Sequence, residues 1–133
     1  MGRRLILDTN VLIGYERGSI DRKIFQTDEL SIAAVTLAEY RVGIEMADSV
    51  ERAAHRARWL DLILSELDVL EYTRRTADHH ARLLAYARRT GQPRGAHDLI
   101  IAASALETGR TVVSRDAKAR FGDLPGVSAF SMS

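Results

Sequence analysis

The chain has 133 residues, 46% of them hydrophobic and 28% charged, with no cysteine and a formal net charge of +1. Such a composition is typical of a globular domain and argues against disordered or collagen-like chains, and the length predicts one domain over residues 1–133. The lack of cysteine excludes disulfide frameworks, thiolate catalysis and cysteine-based zinc or iron–sulfur sites. Because the net charge is near zero, any nucleic acid would have to be bound through a local pattern of charge.

Short apolar runs alternate with longer segments of helical periodicity, the pattern of an α/β protein with a parallel sheet. The predicted strands cover residues 4–7, 30–34, 69–72, 111–114 and, as a weak edge strand, 127–130. The predicted helices cover residues 9–16, 20–25, 36–47, 50–67, 76–90, 98–107 and 117–121. We therefore expect a three-layer α/β/α sandwich with a mainly parallel central sheet and a helical hairpin after the second strand.

No apolar run approaches the roughly 20 residues that span a bilayer. The basic pair Arg3-Arg4 is followed by only three apolar residues before Asp8, which is too few for a secretory signal. We therefore expect no membrane association and a cytoplasmic location.

Four acidic residues occupy special positions in this scheme. Asp8 lies just past the first strand, Glu39 lies in the first turn after the second, Asp98 opens a late helix and Asp116 lies just past the fourth strand. Each has a purely structural explanation. Asp8 is placed to cap a helix, Thr36 and Glu39 have the spacing of a capping box, and the other two suit the positive end of a helix dipole.

The joint placement of the four acids favours a function. The carboxyl ends of parallel strands share one edge of the sheet, and the helix that leads into the fourth strand must begin at that same edge. Four carboxylates in one crevice repel one another unless a cation is bound or some stay protonated. Mg²⁺ or Mn²⁺ suits such oxygen ligands, and only His97 of the four histidines is near enough to contribute. The pattern predicts metal-assisted hydrolysis of a phosphodiester.

Two alternatives remain open from the residues alone. The sequence has no phosphate-binding P-loop, no dinucleotide fingerprint and no nucleophile elbow. A small-molecule phosphohydrolase that uses Asp8 as its nucleophile is one alternative, although Asn10 replaces the second acid of the expected D-x-D pattern. The other is a catalytically silent module that binds RNA or a protein, with the acids acting only as helix caps.

Four segments resemble the PIN-domain ribonucleases: LDTNVLI at 7–13, EYRVG at 39–43, GQPRGAHDLIIAA at 91–103 and VSRD at 113–116. The opening segment and the G-x-P-x-G-x-x-D-x-x-I-A-A block are most similar to the VapC toxins of bacterial type II toxin–antitoxin systems. The resemblance covers essentially the whole chain. It implies an endoribonuclease toxin that depends on Mg²⁺ or Mn²⁺, cleaves RNA and inhibits growth.

The resemblance also implies roles for individual residues. The family's four acids, which serve as metal ligands and catalytic groups, correspond in order to Asp8, Glu39, Asp98 and Asp116. The supporting polar positions correspond to Thr9, Asn10 and Ser114, for which helix capping is the alternative role. The last segment departs from the family pattern, because no second acid lies between Asp116 and Phe121.

Partners are implied in the same way. Such toxins form homodimers and are neutralised by a small VapB-like antitoxin, whose C-terminal segment enters a groove and covers the active site. The predicted hairpin, residues 36–67, carries enough apolar surface for such a groove. Several basic side chains near the crevice are candidates for contacts to RNA phosphates or to acids of the antitoxin: Arg41, Arg94, Arg115, Lys118 and Arg120.

Overall fold

The computed structural model describes residues 2–132. Within them, a parallel sheet is built from the strands Arg4–Leu7 (β1), Glu29–Ala33 (β2), Asp68–Leu70 (β3), Thr111–Ser114 (β4) and Ala129–Ser131 (β5), in the order β3-β2-β1-β4-β5. The α-helices are Thr9–Glu16 (α1), Ala34–Glu45 (α2), Val50–Leu64 (α3), Arg74–Arg89 (α4) and Ala96–Thr108 (α5). Short 3₁₀ turns cover Arg22–Phe25, Ala117–Ala119 and Phe121–Asp123.

The central strand β1 shows why the fold has three layers. Side chains alternate between the two faces of a strand. Leu5 and Leu7 pack in one core with α1 and α3, whereas Ile6 packs in a second core with α4 and α5. All three side chains are fully buried, so both faces of the sheet are covered by helices. The predicted three-layer sandwich, its parallel sheet and the α2–α3 hairpin are confirmed.

The capping box that the spacing of Thr36 and Glu39 offered as a structural explanation is not formed. Strand β2 runs directly into α2, which begins at Ala34, with Ala33 at its N-cap and no side-chain cap. Thr36 therefore lies inside the first turn, where its side chain is buried, and its hydroxyl has no hydrogen-bond partner in the described part of the chain. Glu39 is consequently not engaged at the start of the helix.

Other boundaries differ by a few residues. A capping box between Thr73 and Thr76 starts α4 at Arg74, two residues before the prediction. Helix α3 ends at Leu64 instead of residue 67, because the chain turns to bury Leu67 on its way into β3. Strand β3 covers Asp68–Leu70 instead of 69–72, and β5 covers Ala129–Ser131 instead of 127–130. None of the helices in residues 2–132 has the length and apolar character needed to cross a membrane.

Candidate active site at the carboxyl edge of the sheet

Asp8 lies where β1 ends and α1 begins, and the residue is only 7% exposed. Its Oδ1 accepts a hydrogen bond from the Thr9 amide at 2.8 Å, and its Oδ2 accepts one from the Ser114 hydroxyl at 2.8 Å. The Asn10 side-chain amide is 3.3 Å from the same Oδ2. Burial raises the pKa of Asp8, and the bonds from Ser114 and Thr9 oppose that rise.

The hydrogen bonds continue to the end of β4. The Ser114 hydroxyl oxygen accepts from the Asp116 amide at 3.0 Å, and the Arg115 amide donates to the side-chain oxygen of Asn10 at 2.9 Å. Asp116 in turn accepts from the Lys118 amide at 2.9 Å, as the N-cap of the 3₁₀ turn Ala117–Ala119. Asn10 and Ser114 therefore join the ends of β1 and β4 and fix Asp8 and Asp116 relative to each other.

The opposite side of the crevice is formed by α2 and α5. Glu39 of α2 accepts a hydrogen bond from the Thr9 hydroxyl at 3.2 Å, and its Oε1 also lies 3.2 Å from Nδ1 of His97. Asp98 lies in the first turn of α5, three residues after the N-cap Gly95. A Cβ at position 95 would be only 3.3 Å from Oδ2 of Asp98, so the glycine leaves room for that carboxylate.

Electrostatics show that the four carboxylates share one crevice. The pKa of Asp98 is raised to about 6, first by burial and then by the negative charges of Asp8, Asp116 and Glu39, against the opposing effect of His97. The charges of Glu39 and Asp116 also raise the pKa of Asp8. All four acids that the sequence singled out therefore lie at the same edge of the sheet.

Helix capping accounts for two of the four acids. Asp8 and Asp116 accept bonds from backbone amides, as N-caps do. In the hydrogen bonds of the described residues, Glu39 and Asp98 accept none from the backbone, although Asp98 stands in the first turn of a helix. These two carboxylates face the crevice without a role in the helices that carry them.

The chemistry of the donors fits a hard divalent cation. Across residues 2–132, no group of three or more histidine, aspartate or glutamate side chains is arranged to hold a metal ion by itself. The crevice is thus an open set of oxygen donors instead of a closed cage. Mg²⁺ suits such a set, because it is commonly bound through one or two carboxylates and keeps several waters for exchange with substrate phosphates.

Two of the basic side chains near the crevice have partners within the protein. Nη1 of Arg94 donates to the carbonyls of Ala119 and Arg120, at 2.6 and 2.7 Å, and Nη1 of Arg115 donates to the Ser19 hydroxyl at 2.8 Å. The sequence offered these residues only as candidates for contacts with RNA or an antitoxin and did not indicate the contacts that they make within the protein. No sequence motif predicts the hydrogen bonds that these two side chains make.

A cleft of about 520 Å³ adjoins Glu39 on the side of the hairpin. It lies between α1, α2 and α3 and is lined by Ile13, Arg17, Tyr40 and His55, among others. The Tyr40 hydroxyl is buried there, and burial together with the neighbouring Glu16 raises its pKa. The cleft therefore combines a few apolar side chains with charged groups of both signs, among them Glu16, Glu51, Arg52 and Arg56.

Comparison with known proteins agrees with this geometry. The PIN domain family model matches residues 5–125. Ribonuclease VapC5 of Mycobacterium tuberculosis is 31% identical over 111 residues, which are 84% of this chain and 82% of that protein. The chain belongs to the PIN-domain family of VapC ribonucleases. The tRNA(fMet)-specific endonuclease VapC of Salmonella typhimurium is 29% identical over 128 residues, 93% of this chain and 94% of that protein.

Solved structures extend the match over nearly the whole chain. The DNA-bound VapBC complex of Salmonella typhimurium contains a chain that superposes with a TM-score of 0.85 at 29% identity, covering 98% of both chains. VapBC2 of Rickettsia felis, bound to a promoter DNA fragment, also gives a TM-score of 0.85, at 20% identity, covering 98% of this chain and 99% of that chain. The latter shows the common fold. The resemblance read from the sequence is confirmed.

Proposed function

We propose that this protein is the metal-dependent endoribonuclease toxin of a type II toxin–antitoxin system. The observation that carries the proposal is the crevice itself, where four carboxylates meet and Glu39 and Asp98 have no role in capping a helix. Membership in the VapC ribonucleases supports phosphodiester cleavage of RNA as the reaction.

In this proposal Mg²⁺, for which Mn²⁺ can substitute, binds in the crevice formed by Asp8, Glu39, Asp98 and Asp116, directly through one or two of these carboxylates and otherwise through water. When bound, such a metal supplies Lewis acidity toward the phosphodiester and lowers the pKa of a water. Ser114 and Asn10 fix the carboxylate of Asp8 for this purpose, and Thr9 orients Glu39.

The substrate class that we propose is a single-stranded loop of a structured RNA. In-line attack needs a backbone that is free to align, and bases that are not paired can be contacted at their edges and faces. The Salmonella relative is named as an endonuclease specific for tRNA(fMet), which supports a transfer RNA as the first substrate to test.

A VapB-like antitoxin is the proposed protein partner. The cleft beside Glu39 would receive its C-terminal segment close to the carboxylates. Val42, Met46 and Val50, near the tip of the α2–α3 hairpin, are 58%, 78% and 82% exposed and extend the apolar surface available to such a partner. The related VapBC structures are complexes of this kind by name. A homodimer and a cytoplasmic location remain predictions.

The test is to replace one carboxylate from each side of the crevice. Asp8→Asn and Asp98→Asn should each lower the rate of RNA cleavage by about 10³-fold or more, since several kcal/mol of transition-state stabilisation depend on the metal. Both variants should fold and lose toxicity. Asp61→Asn, which neutralises an exposed carboxylate on α3, is the matched control and should cleave like the wild type.

Cleavage is measured by inducing each variant in a host and mapping new RNA 5′ ends, and then with purified protein in Mn²⁺ or chelator. Discrete cuts that need both Mn²⁺ and the two carboxylates support the proposal. Undiminished toxicity in either variant, or cleavage in chelator, contradicts it. If neither wild type nor variants cut RNA, a silent binding module is favoured. In that case, replacing Asp8 or Asp116 should lower the free energy of unfolding by about 0.5 to 2 kcal/mol through loss of a helix cap, and the other two acids should show no such loss.

A further inference from the structure

Arg94 lies in the segment 91–95 that connects α4 to α5, four residues before Asp98. Its side chain leaves this segment and reaches a part of the chain about 25 residues further on. There Nη1 donates to the carbonyl oxygens of Ala119 and Arg120, at 2.6 and 2.7 Å. The guanidinium therefore connects the start of α5 with the loop that follows β4.

The two carbonyls belong to a turn that is strained. Arg120 has φ of 46° and ψ of 48°, and it is the sole non-glycine residue with positive φ in residues 2–132. A residue with a Cβ adopts this left-handed conformation at a cost in free energy and keeps it only where its surroundings enforce it. Hydrogen bonds from a charged donor are stronger than neutral ones, so Arg94 is suited to enforce it.

The same turn begins at Asp116. Asp116 caps the 3₁₀ turn Ala117–Ala119, and Arg120 ends that turn. One end of this short unit is held by the Ser114 hydroxyl, which accepts from the Asp116 amide at 3.0 Å. The other end is held by Arg94. The position of Asp116 relative to α5, and thus to Asp98, depends on both attachments.

The guanidinium has no competing ionic partner. No carboxylate lies within 4 Å of it among the salt bridges of the described residues, and its Nη2 is buried without a hydrogen-bond partner there. An RNA phosphate could recruit Nη1 only by displacing the two carbonyls. A contact of Arg94 with an RNA phosphate stays a prediction, while its Nη1 atom already has a role inside the protein.

We propose that Arg94 is a positioning residue for the acidic crevice: by holding the 119–120 carbonyls it sets Asp116 against Asp98 at the metal-binding edge. This inference rests on the proposed function. Both bonds come from one nitrogen, Nη1. Lysine also offers one charged nitrogen, but on a shorter and more flexible side chain, so it should replace Arg94 only in part.

The experiment compares Arg94→Met, Arg94→Lys and the control Arg89→Met, which removes an exposed arginine at the end of α4. Mn²⁺ affinity of the metal-free protein is measured by isothermal titration calorimetry, together with the thermal unfolding midpoint and the Mn²⁺ concentration that gives half-maximal RNA cleavage. Arg94→Met should bind Mn²⁺ about 10-fold more weakly than the wild type, with Arg94→Lys between them and Arg89→Met unchanged.

A second variant isolates the turn. Glycine adopts the left-handed conformation without strain, so Arg120→Gly combined with Arg94→Met should recover part of the lost Mn²⁺ affinity. A lowered unfolding midpoint with wild-type Mn²⁺ affinity in Arg94→Met would overturn the positioning role and leave a merely structural one. If Arg94→Met does not fold, Arg94→Lys takes its place. The positioning role would then be overturned if Arg94→Lys bound Mn²⁺ like the wild type and if adding Arg120→Gly to Arg94→Lys did not raise the Mn²⁺ affinity. A wild type that neither binds Mn²⁺ nor cleaves RNA would instead refute the proposed function.

Discussion

The two sides of the acidic crevice are held in place by different means. On the side formed by the ends of β1 and β4, Asp8 and Asp116 accept backbone amide bonds and share the Ser114 hydroxyl. On the side formed by α2 and α5, Glu39 accepts from the Thr9 hydroxyl and lies beside His97, and Asp98 has a raised pKa. The first side is held by hydrogen bonds at the ends of two paired strands. On the second side, burial and the charges of the other acids raise the pKa of Asp98, and His97 opposes that rise only in part.

The difference follows from how each side is attached to the sheet. Strands β1 and β4 are paired in register, with Leu7 opposite Val113, and the Asp8 amide continues this ladder by donating to the Val113 carbonyl at 2.9 Å. Glu39 and Asp98 stand on helices that are attached by packing. A cation would thus find preformed ligands on the strand side and would relieve repulsion on the helix side.

Removing the Ser114 hydroxyl should have the largest effect on the strand side. Ser114→Ala deletes the 2.8 Å bond to Asp8 and the 3.0 Å bond from the Asp116 amide. We expect Mn²⁺ affinity to fall about 10- to 100-fold, because ligands lose orientation when their hydrogen-bond partners are removed. Calorimetry of the metal-free variant measures this loss.

The control is Ser128→Ala, which removes an exposed hydroxyl that contacts Thr111 outside the crevice. Its Mn²⁺ affinity should equal that of the wild type. A Ser114→Ala protein with undiminished Mn²⁺ affinity would mean that hydrogen bonding does not organise the strand side.

The burial of Asp98 and its repulsion by the other acids should appear as a pH dependence of stability in the metal-free protein. Because the folded state raises the pKa of Asp98 from 3.8 to about 6, it binds more protons than the unfolded state between these two values. The contribution of Asp98 is fully present below about pH 4 and is lost as pH rises through about 6. After allowance for solvent screening, the loss is on the order of 1 to 2 kcal/mol.

Urea unfolding of the wild type and Asp98→Asn between pH 4 and pH 8 measures this contribution as a difference. The asparagine variant should gain stability relative to the wild type as pH rises, and Mn²⁺ at pH 7 should stabilise the wild type more than the variant. Parallel pH profiles for the two proteins would show that Asp98 carries no repulsion.

The positions of the acids were predictable because they follow from topology. Asp8 and Asp116 lie just past the ends of parallel strands, which meet at one edge of a sheet, and Asp98 lies in the first turn of a helix that must run back into β4. These rules depend on the order of elements and tolerate boundary errors of two or three residues. Accurate helix ends were therefore not needed to predict that these acids lie at the same edge of the sheet.

Local motifs and long-range contacts were less predictable. Thr36 and Glu39 match a capping box, but the direct passage from β2 into α2 starts the helix two residues earlier and buries Thr36. Arg94 is recognisable from sequence only as a charge near the crevice. Its side chain is directed by hydrogen bonds to the carbonyls of Ala119 and Arg120. The fold brings these carbonyls close, and no local sequence pattern predicts the contact.

The smallest change in Mn²⁺ affinity should come from removing the hydrogen bond by which Thr9 joins the strand side to the helix side. Its hydroxyl donates to Glu39 at 3.2 Å, while its amide donates to Asp8 independently of the side chain. Thr9→Val keeps the shape and the amide but removes the hydroxyl, and the loss of one partly buried hydrogen bond should weaken Mn²⁺ binding about threefold. Thr9→Ser restores a hydroxyl and should bind Mn²⁺ within twofold of the wild type, on the order of experimental error. If Thr9→Val instead weakened binding as strongly as Ser114→Ala, Glu39 would be held as firmly as Asp8, and the contrast between a fixed side and a repelling side would not stand.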